Sequence, residues 1–281
     1  MPKKKMIHEF MQMKQEGEKI TFLTAYDFPT AQFAETAGLD MLLVGDSLGM
    51  CVYGYPGTVA VVMDQCIYHS EAVRRGAPNT FIVGDMPFMS YQSSLEKAVE
   101  NAGRFLKEAG CDAIKLEGGV RIVPQIKAIV AAGILVMGHI GLTPQSSGQL
   151  GGHKAQGRTL ETARIVIEDA LAVQEGGAQM ILLEAIPPEV AAYITKELSI
   201  PVLSIGAGPD CDGQLLIVSD MIGQFQAFTP KFVKQYCNVA EIVTGAMKEY
   251  VTEVRAGKFP EDDHYYHMLS GEKEKFDAEF K

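Results

Sequence analysis

Short apolar runs, each the length of one strand, recur along this chain with amphipathic stretches between them. They are "ITFLTA" (Ile20–Ala25), "MLLVGD" (Met41–Asp46), "FIVGDM" (Phe81–Met86), "AIKLEG" (Ala113–Gly118), "LVMGHIG" (Leu135–Gly141), "MILLEAI" (Met180–Ile186) and "PVLSIGAG" (Pro201–Gly208). "GQFQAF" (Gly223–Phe228) is a weaker eighth candidate. Near-continuous apolar runs suit parallel strands buried on both faces. Between them, "SLEKAVENAGRFLKEAG" places Leu95, Val99, Ala102, Phe105 and Leu106 on one helical face and stops at Gly110. "TLETARIVIEDALAVQEGGA" offers Thr159 as an N-cap and Gly176 as the C′ glycine. Two joins nearly repeat, "EAGCDAIKLEG" and "EGGAQMILLEA"; in each a helix ends at glycine and the next strand ends at an acid. Such a rhythm predicts an α/β chain folded as a (β/α)8 TIM barrel, with a doubly wound sheet as the alternative. The barrel, with a short N-terminal helix before it, is expected over residues 1–260 as a single domain. Residues 261–281 form a polar C-terminal tail.

Composition narrows the function. A formal net charge of −10 lacks the basic footprint of a nucleic-acid binder. No apolar run reaches the roughly 20 residues that a membrane span needs. Five cysteines, widely spread and without a C-x-x-C pair, argue against a disulfide framework or structural zinc and place the chain in a reducing cytoplasm. Packing accounts for them. The basic start "PKKK" has no apolar segment behind it and reads as a solvated terminus.

In a parallel barrel the chemistry gathers at the C-terminal ends of the strands. The polar residues there are Asp46 and Ser47, Asp85, Lys115 and Glu117, His139, and Glu184. Side chains alternate along a strand, so Lys115 and Glu117 share one face, and Lys115 is placed either to pair with Glu117 or to meet an anionic substrate. A lone Asp at a strand end more often caps the next helix. Carboxylates recurring at successive strand ends instead repel one another unless a cation joins them. Oxygen-only donors favour magnesium or a similar hard ion. His139 reads equally as a pocket residue or a hydrogen-bonded packing histidine. "GQLGGHKAQGR" and "GAGPDCDG" lack the spacings of nucleotide loops, so their glycines serve tight turns. The residues alone therefore describe a metal-assisted barrel enzyme for a small anionic substrate.

Longer motifs carry a resemblance. "TAYD" (Thr24–Asp27), "VGDSLGM" (Val44–Met50), "YHSEAVRRGAPN" (Tyr68–Asn79), "DMPFMSY" (Asp85–Tyr91), "KLEGG" (Lys115–Gly119), "GHIGLTPQS" (Gly138–Ser146), "GGHKAQGR" (Gly151–Arg158) and "GAGPDCDGQLL" (Gly206–Leu216) occur in order. From about Thr21 to Pro260 the chain resembles the ketopantoate hydroxymethyltransferase family. The resemblance implies a (β/α)8 barrel that moves a hydroxymethyl group from 5,10-methylenetetrahydrofolate to 3-methyl-2-oxobutanoate. The product is 2-dehydropantoate, on the way to pantothenate, formed through a magnesium-stabilised enolate. It implies Asp46 and Asp85 as metal and substrate-side ligands, with Glu117 at or near the metal. Ser47 and Lys115 become substrate contacts, Glu184 the proton acceptor and His139 a pocket residue. Partners implied are a small 2-oxo acid, a folate and further copies of the chain in a homo-oligomer, since the family forms large rings.

Some positions depart from the family pattern. Val59-Ala60-Val61-Val62 replaces the usual Leu-Pro-Val-Thr, His153 stands for an aromatic residue, Ser204 for glycine and Ser219 for histidine. These changes bear on the choice of 2-oxo acid and one-carbon donor. A related alternative is a magnesium-dependent lyase or mutase of the phosphoenolpyruvate mutase/isocitrate lyase type. Those enzymes carry a cysteine before a Gly-His pair, where this chain has Met137. A barrel kept only for binding a small molecule is the non-enzymatic alternative.

Overall fold

In the computed structural model, which describes residues 3–280, eight parallel strands close on one another in chain order as a barrel. Met1, Pro2 and Lys281, which begin and end the expected segments, lie outside the described residues. The strands are β1 (Ile20–Thr24), β2 (Met41–Val44), β3 (Phe81–Asp85), β4 (Ala113–Glu117), β5 (Leu135–Gly141), β6 (Met180–Glu184), β7 (Val202–Ile205) and β8 (Gly213–Leu216). The helices are α1 (Ile7–Glu16), α2 (Phe28–Thr36), α3 (Leu48–Cys51), α4 (Met63–Gly76), α5 (Leu95–Lys107) and α6 (Val123–Ala131). After them come α7 (Ser147–Leu150), α8 (Leu160–Glu175), α9 (Pro188–Glu197), α10 (Val218–Met221), α11 (Val239–Arg255) and α12 (Glu272–Glu279).

Period-two alternation sorts each strand into an inner and an outer row. The outer row, including Leu42, Val44, Ile82, Ile114, Leu116, Val136 and Ile181, packs under the helices. Two outward positions are glycines because helices press directly on them. A Cβ on Gly84 would lie 2.3 Å from the Phe105 ring of α5, and one on Gly138 2.4 Å from Val173 of α8. The inner row starts apolar at the bottom, with Phe22, Met41, Leu43, Phe81, Val83, Ala113, Met137, Met180 and Leu182 buried together. Following the same strands upward, it turns polar at Asp85, Lys115, Glu117 and His139. One alternation therefore builds both the core and the floor of the mouth.

Three expectations need correction. The eighth strand is Gly213–Leu216, not Gly223–Phe228, which lies in the loop after α10. β8 is only half apolar, with Gln214 exposed, so it carries too weak a pattern to stand out. The left-handed glycine after α8 is Gly177 (φ 98°), while Gly176 stays right-handed at φ −65°. The basic start is not simply solvated: Lys4 pairs with Asp112 at 2.6 Å and Lys5 with Asp40 at 2.5 Å. These pairs help seat α1 under the barrel, where Phe10 and Met13 are buried and the Phe10 ring meets Phe81 edge-on at 5.2 Å.

α1 thus acts as the barrel's bottom plug. Phe10→Ala is expected to lower stability by about 3–5 kcal/mol, the usual cost of a buried Phe truncation. Urea denaturation measures it; a loss below about 0.5 kcal/mol, typical of a surface change, would show that α1 only rests on the surface.

Candidate active site

The polar inner residues converge because strand register places them side by side. Asp85 on β3 is level with Lys115 on β4, and Glu117 on β4 is level with His139 on β5. Lys115 Nζ lies 2.8 Å from Asp85 Oδ1 and 3.8 Å from Glu117 Oε1. Its closer partner is Asp85, so the expected Lys115–Glu117 pairing is secondary. His139 Nδ1 sits 3.3 Å from Glu117 Oε1, and its Nε2 lies 3.1 Å from Glu184 Oε2. The second contact is an ion-pair approach, since Nε2 makes no aligned hydrogen bond.

Asp46 joins the group from the turn after β2. It caps no helix: its backbone N–H donates to Asp85 Oδ2 at 2.9 Å, and its Oδ2 accepts from Gln145 Nε2 at 2.9 Å. The capping alternative is fulfilled elsewhere, by Asp27 at the start of α2. Ser47 beside it is half-buried and its Oγ pairs with the Tyr26 hydroxyl at 2.8 Å.

Two neutral residues that sequence reasoning passed over hold the acids in place. The Gln145 N–H donates to Glu117 Oε2 at 3.0 Å, while its side chain also donates to the Met86 carbonyl at 2.9 Å. The Tyr91 hydroxyl accepts from the Glu117 N–H at 3.0 Å and donates to Gln145 Oε1 at 2.8 Å. Both lie within motifs quoted for the resemblance, yet neither carries a charge that would mark it. Behind Glu184, Ala185 adopts a left-handed backbone (φ 48°), which L residues rarely take and which recurs where a functional side chain is aimed.

Electrostatics follow from burial. Burial pushes the Asp46 carboxyl well above its usual range, reinforced by Asp85 and Glu117 and only partly offset by Lys115 and Gln145. Asp85 is also pushed up by burial, against the pull of Lys115. Glu117 is likewise penalised by burial, but its contacts with His139 and Lys115 prevail and hold it low. For His139, burial and Lys115 push downward, while Glu117 and Glu184 outweigh them and raise it to about 9. Lys115 is raised despite burial, by Asp85 and Glu117 first.

Asp46, Asp85, Glu117 and Glu184 thus gather around Lys115 and His139, and the burial that pushes Asp46 and Asp85 upward would be offset by a cation joining them. Asp85 Oδ1 meets the Lys115 ammonium and, among the described residues, no other donor. Among the described residues, no three His, Cys, Asp or Glu side chains are spaced to enclose an ion by themselves. The donor set on the floor of the mouth, made of carboxylate oxygens, suits a hard divalent cation. Asp46 and Asp85 are the fitting pair, with Glu117 engaged by Gln145 and His139 just behind them.

Asp46, Ser47, Asp85, Lys115, Glu117, His139 and Glu184 line one cavity of about 520 Å³ at the C-terminal end of the barrel. His153 also lines it, whereas Val59, Val61 and Val62 line a separate surface groove beside Phe88 and Met89. Ser204 supports the turn after β7, accepting from the Ala207 N–H at 3.1 Å. The opposite wall of the cavity holds Asp220, Phe225, Phe228 and Phe232, none of which the sequence reading singled out as site residues.

Comparison with known proteins now bears on this geometry. A family model described as ketopantoate hydroxymethyltransferase matches residues 4–262. The chain belongs to that family. It is 64% identical over its full length, and the relative's, to a 3-methyl-2-oxobutanoate hydroxymethyltransferase of Alkaliphilus metalliredigens. It is 53% identical to the protein of the same name from Moorella thermoacetica, over 90% of this chain and 94% of that one. The family's members are enzymes, and so is this chain; a binding-only barrel is set aside. Among solved structures, phosphonopyruvate hydrolase with oxalate and Mg²⁺ superposes with a TM-score of 0.61 at 15% identity, over 97% of this chain and 95% of that one. A 2,3-dimethylmalate lyase of the PEP mutase/isocitrate lyase superfamily gives 0.59 at 17% identity, over 97% of each. The lyase-type alternative therefore shares the barrel.

Proposed function

We propose that this enzyme transfers a hydroxymethyl group from 5,10-methylenetetrahydrofolate to 3-methyl-2-oxobutanoate, giving 2-dehydropantoate for pantothenate synthesis. The observation that carries it is the buried set of Asp46, Asp85, Lys115, Glu117 and His139, with half-buried Glu184 beside it, lining one cavity. It suits a substrate that is an anion and must lose a carbon-bound proton. The relatives' shared name supports the same reaction.

Each residue has a distinct part. Asp46 and Asp85 would hold magnesium, with Glu117 close behind them. When bound, the ion supplies Lewis-acid polarisation of the keto group. Lys115 and Ser47 receive the substrate carboxylate and fix which face of the molecule is presented. Glu184 accepts the proton from C3, and His139, 3.1 Å from its carboxylate, orients it. The C3–H electron pair becomes the new bond to the one-carbon unit. A water molecule supplies the hydroxyl oxygen as tetrahydrofolate leaves, so the atoms balance.

Glu184→Gln is expected to keep 2-oxo acid binding within about threefold while C3 exchange in D₂O falls by about 10²-fold or more, the range for losing a general base. Proton NMR of 3-methyl-2-oxobutanoate reads the exchange, and undiminished exchange would exclude Glu184 as the base. Asp85→Asn is expected to weaken magnesium binding by about tenfold or more, since it removes a charged ligand. Isothermal titration of Mg²⁺ measures this, and an unchanged affinity would remove Asp85 from the ligand set.

The quaternary and cellular setting follows from two further features. α11 has no buried residue, and Ile242, Met247 and Tyr250 are 67%, 65% and 57% exposed. A helix with such an apolar face needs a partner, which supports a homo-oligomer with residues 1–260 as the catalytic unit and 261–281 as an appended tail. Ile242→Glu is expected to shift sedimentation toward a smaller species; an unchanged assembly would place the interface elsewhere. All five cysteines are free thiols, and among the described residues no helix is long and apolar enough to cross a membrane. These observations support a reducing cytoplasm.

A further inference from the structure

The cavity is divided. One side carries the charged residues of β3, β4 and β5; the other is walled by Phe225, Phe228 and Phe232 and contains a single carboxylate, Asp220. Phe225 and Phe228 meet edge to face at 5.6 Å, and Phe232 packs so tightly over the turn after β7 that a Cβ on Gly206 would lie 2.5 Å from its ring. A 2-oxo acid bound among the charged residues leaves this aromatic side unfilled.

Asp220 sits on α10 and is 4% exposed. Its carboxylate makes no hydrogen bond and no ion pair among the described residues, and burial alone acts on it, raising it to about 6. The neighbouring Ser219 Oγ is buried without a hydrogen bond, and the Tyr26 hydroxyl is taken by Ser47 at 2.8 Å. A largely buried carboxylate that opens to the cavity, with no donor of the described residues on it, is free to accept a ligand's donors.

We propose that Asp220 recognises the one-carbon donor by accepting paired N–H bonds from the 2-amino-4-oxo edge of its pterin ring. The assignment rests on the folate reading above. Of the reactants in that reading, only the pterin presents two parallel N–H donors, which a carboxylate receives in bidentate fashion. The 2-oxo acid has none to give. With its donor edge at Asp220, the flat ring lies against the Phe225–Phe228 wall, an arrangement aromatic faces favour. Lys231, exposed where it lines the cavity, then meets the anionic glutamyl end as it leaves the barrel. Asp220 is thereby a specificity residue for the donor, separate from the metal and proton-transfer groups.

Two variants test this. Asp220→Asn keeps the shape but turns a donor toward the ring, and Asp220→Ala removes the acceptor. In both, Kd for tetrahydrofolate by calorimetry and KM for 5,10-methylenetetrahydrofolate are expected to rise about tenfold or more, the usual loss of charge-assisted hydrogen bonds. KM for 3-methyl-2-oxobutanoate and the C3 exchange that needs no donor serve as the internal comparison. Unchanged tetrahydrofolate affinity in both variants would overturn the assignment. So would a parallel fall in exchange, which would make Asp220 a structural support. If the unsubstituted enzyme exchanges C3 but forms no product from the folate, the donor reading itself fails and this assignment with it.

Discussion

The ion pair between Lys115 and Asp85, 2.8 Å apart and almost wholly removed from solvent, is the constraint on which the rest of the mouth depends. An isolated charge at that depth would cost several kcal/mol, and a pair recovers the cost only with good geometry and further hydrogen bonds. Those bonds come from residues with no charge of their own. Gln145 spans from Asp46 to Glu117, and Tyr91 locks Gln145 and the Glu117 backbone together. The acids are therefore held rigidly close in spite of mutual repulsion. Such preorganisation fits the cation site proposed for these acids, since the fold itself meets the cost of bringing them together.

Register decides which residues take part. A one-residue slip of β4 against β3 would turn Lys115 and Glu117 outward under the helices and bring Ile114 and Leu116 into the mouth. Helix packing guards against that slip. α5 and α8 press on Gly84 and Gly138, so their strands cannot move without driving an inward side chain into Phe105 or Val173. Close approach at those glycines, on the outside of the barrel, thus fixes the chemistry on its inside.

Much of this was legible in the sequence, for a physical reason. Strands such as β2, β3, β4 and β7, buried on both faces, leave an apolar run that needs no partner to be recognised, and acids at the ends of such runs stand out. What stayed hidden lacked one of those signals. β8 is short, begins with Gly213 and exposes Gln214, whereas the aromatic-rich Gly223–Phe228 mimics a strand while serving as cavity wall. Gln145 and Tyr91 are uncharged and act through hydrogen bonds that only the fold creates. Asp220 follows an ordinary stretch, and nothing local shows that its carboxylate is buried without a donor.

Burial also separates the acids by task. Asp46, Asp85 and Glu117 are 4%, 1% and 2% exposed as residues, sealed where a fixed charge is best kept from competing water. The Glu184 side chain is 15% exposed, at the end of β6 where the backbone turns through the left-handed Ala185. A group that holds an ion gains from being closed off, since the interaction strengthens as water leaves. A group that takes a proton from carbon and must pass it on gains from a route outward. The strained turn after β6 places Glu184 at that boundary, against His139 on one side and the open cavity on the other. Within one ring of strand ends, the depth of each carboxylate thus parallels the roles proposed for them, deep for the groups assigned to hold charge and shallower for the one assigned to move a proton.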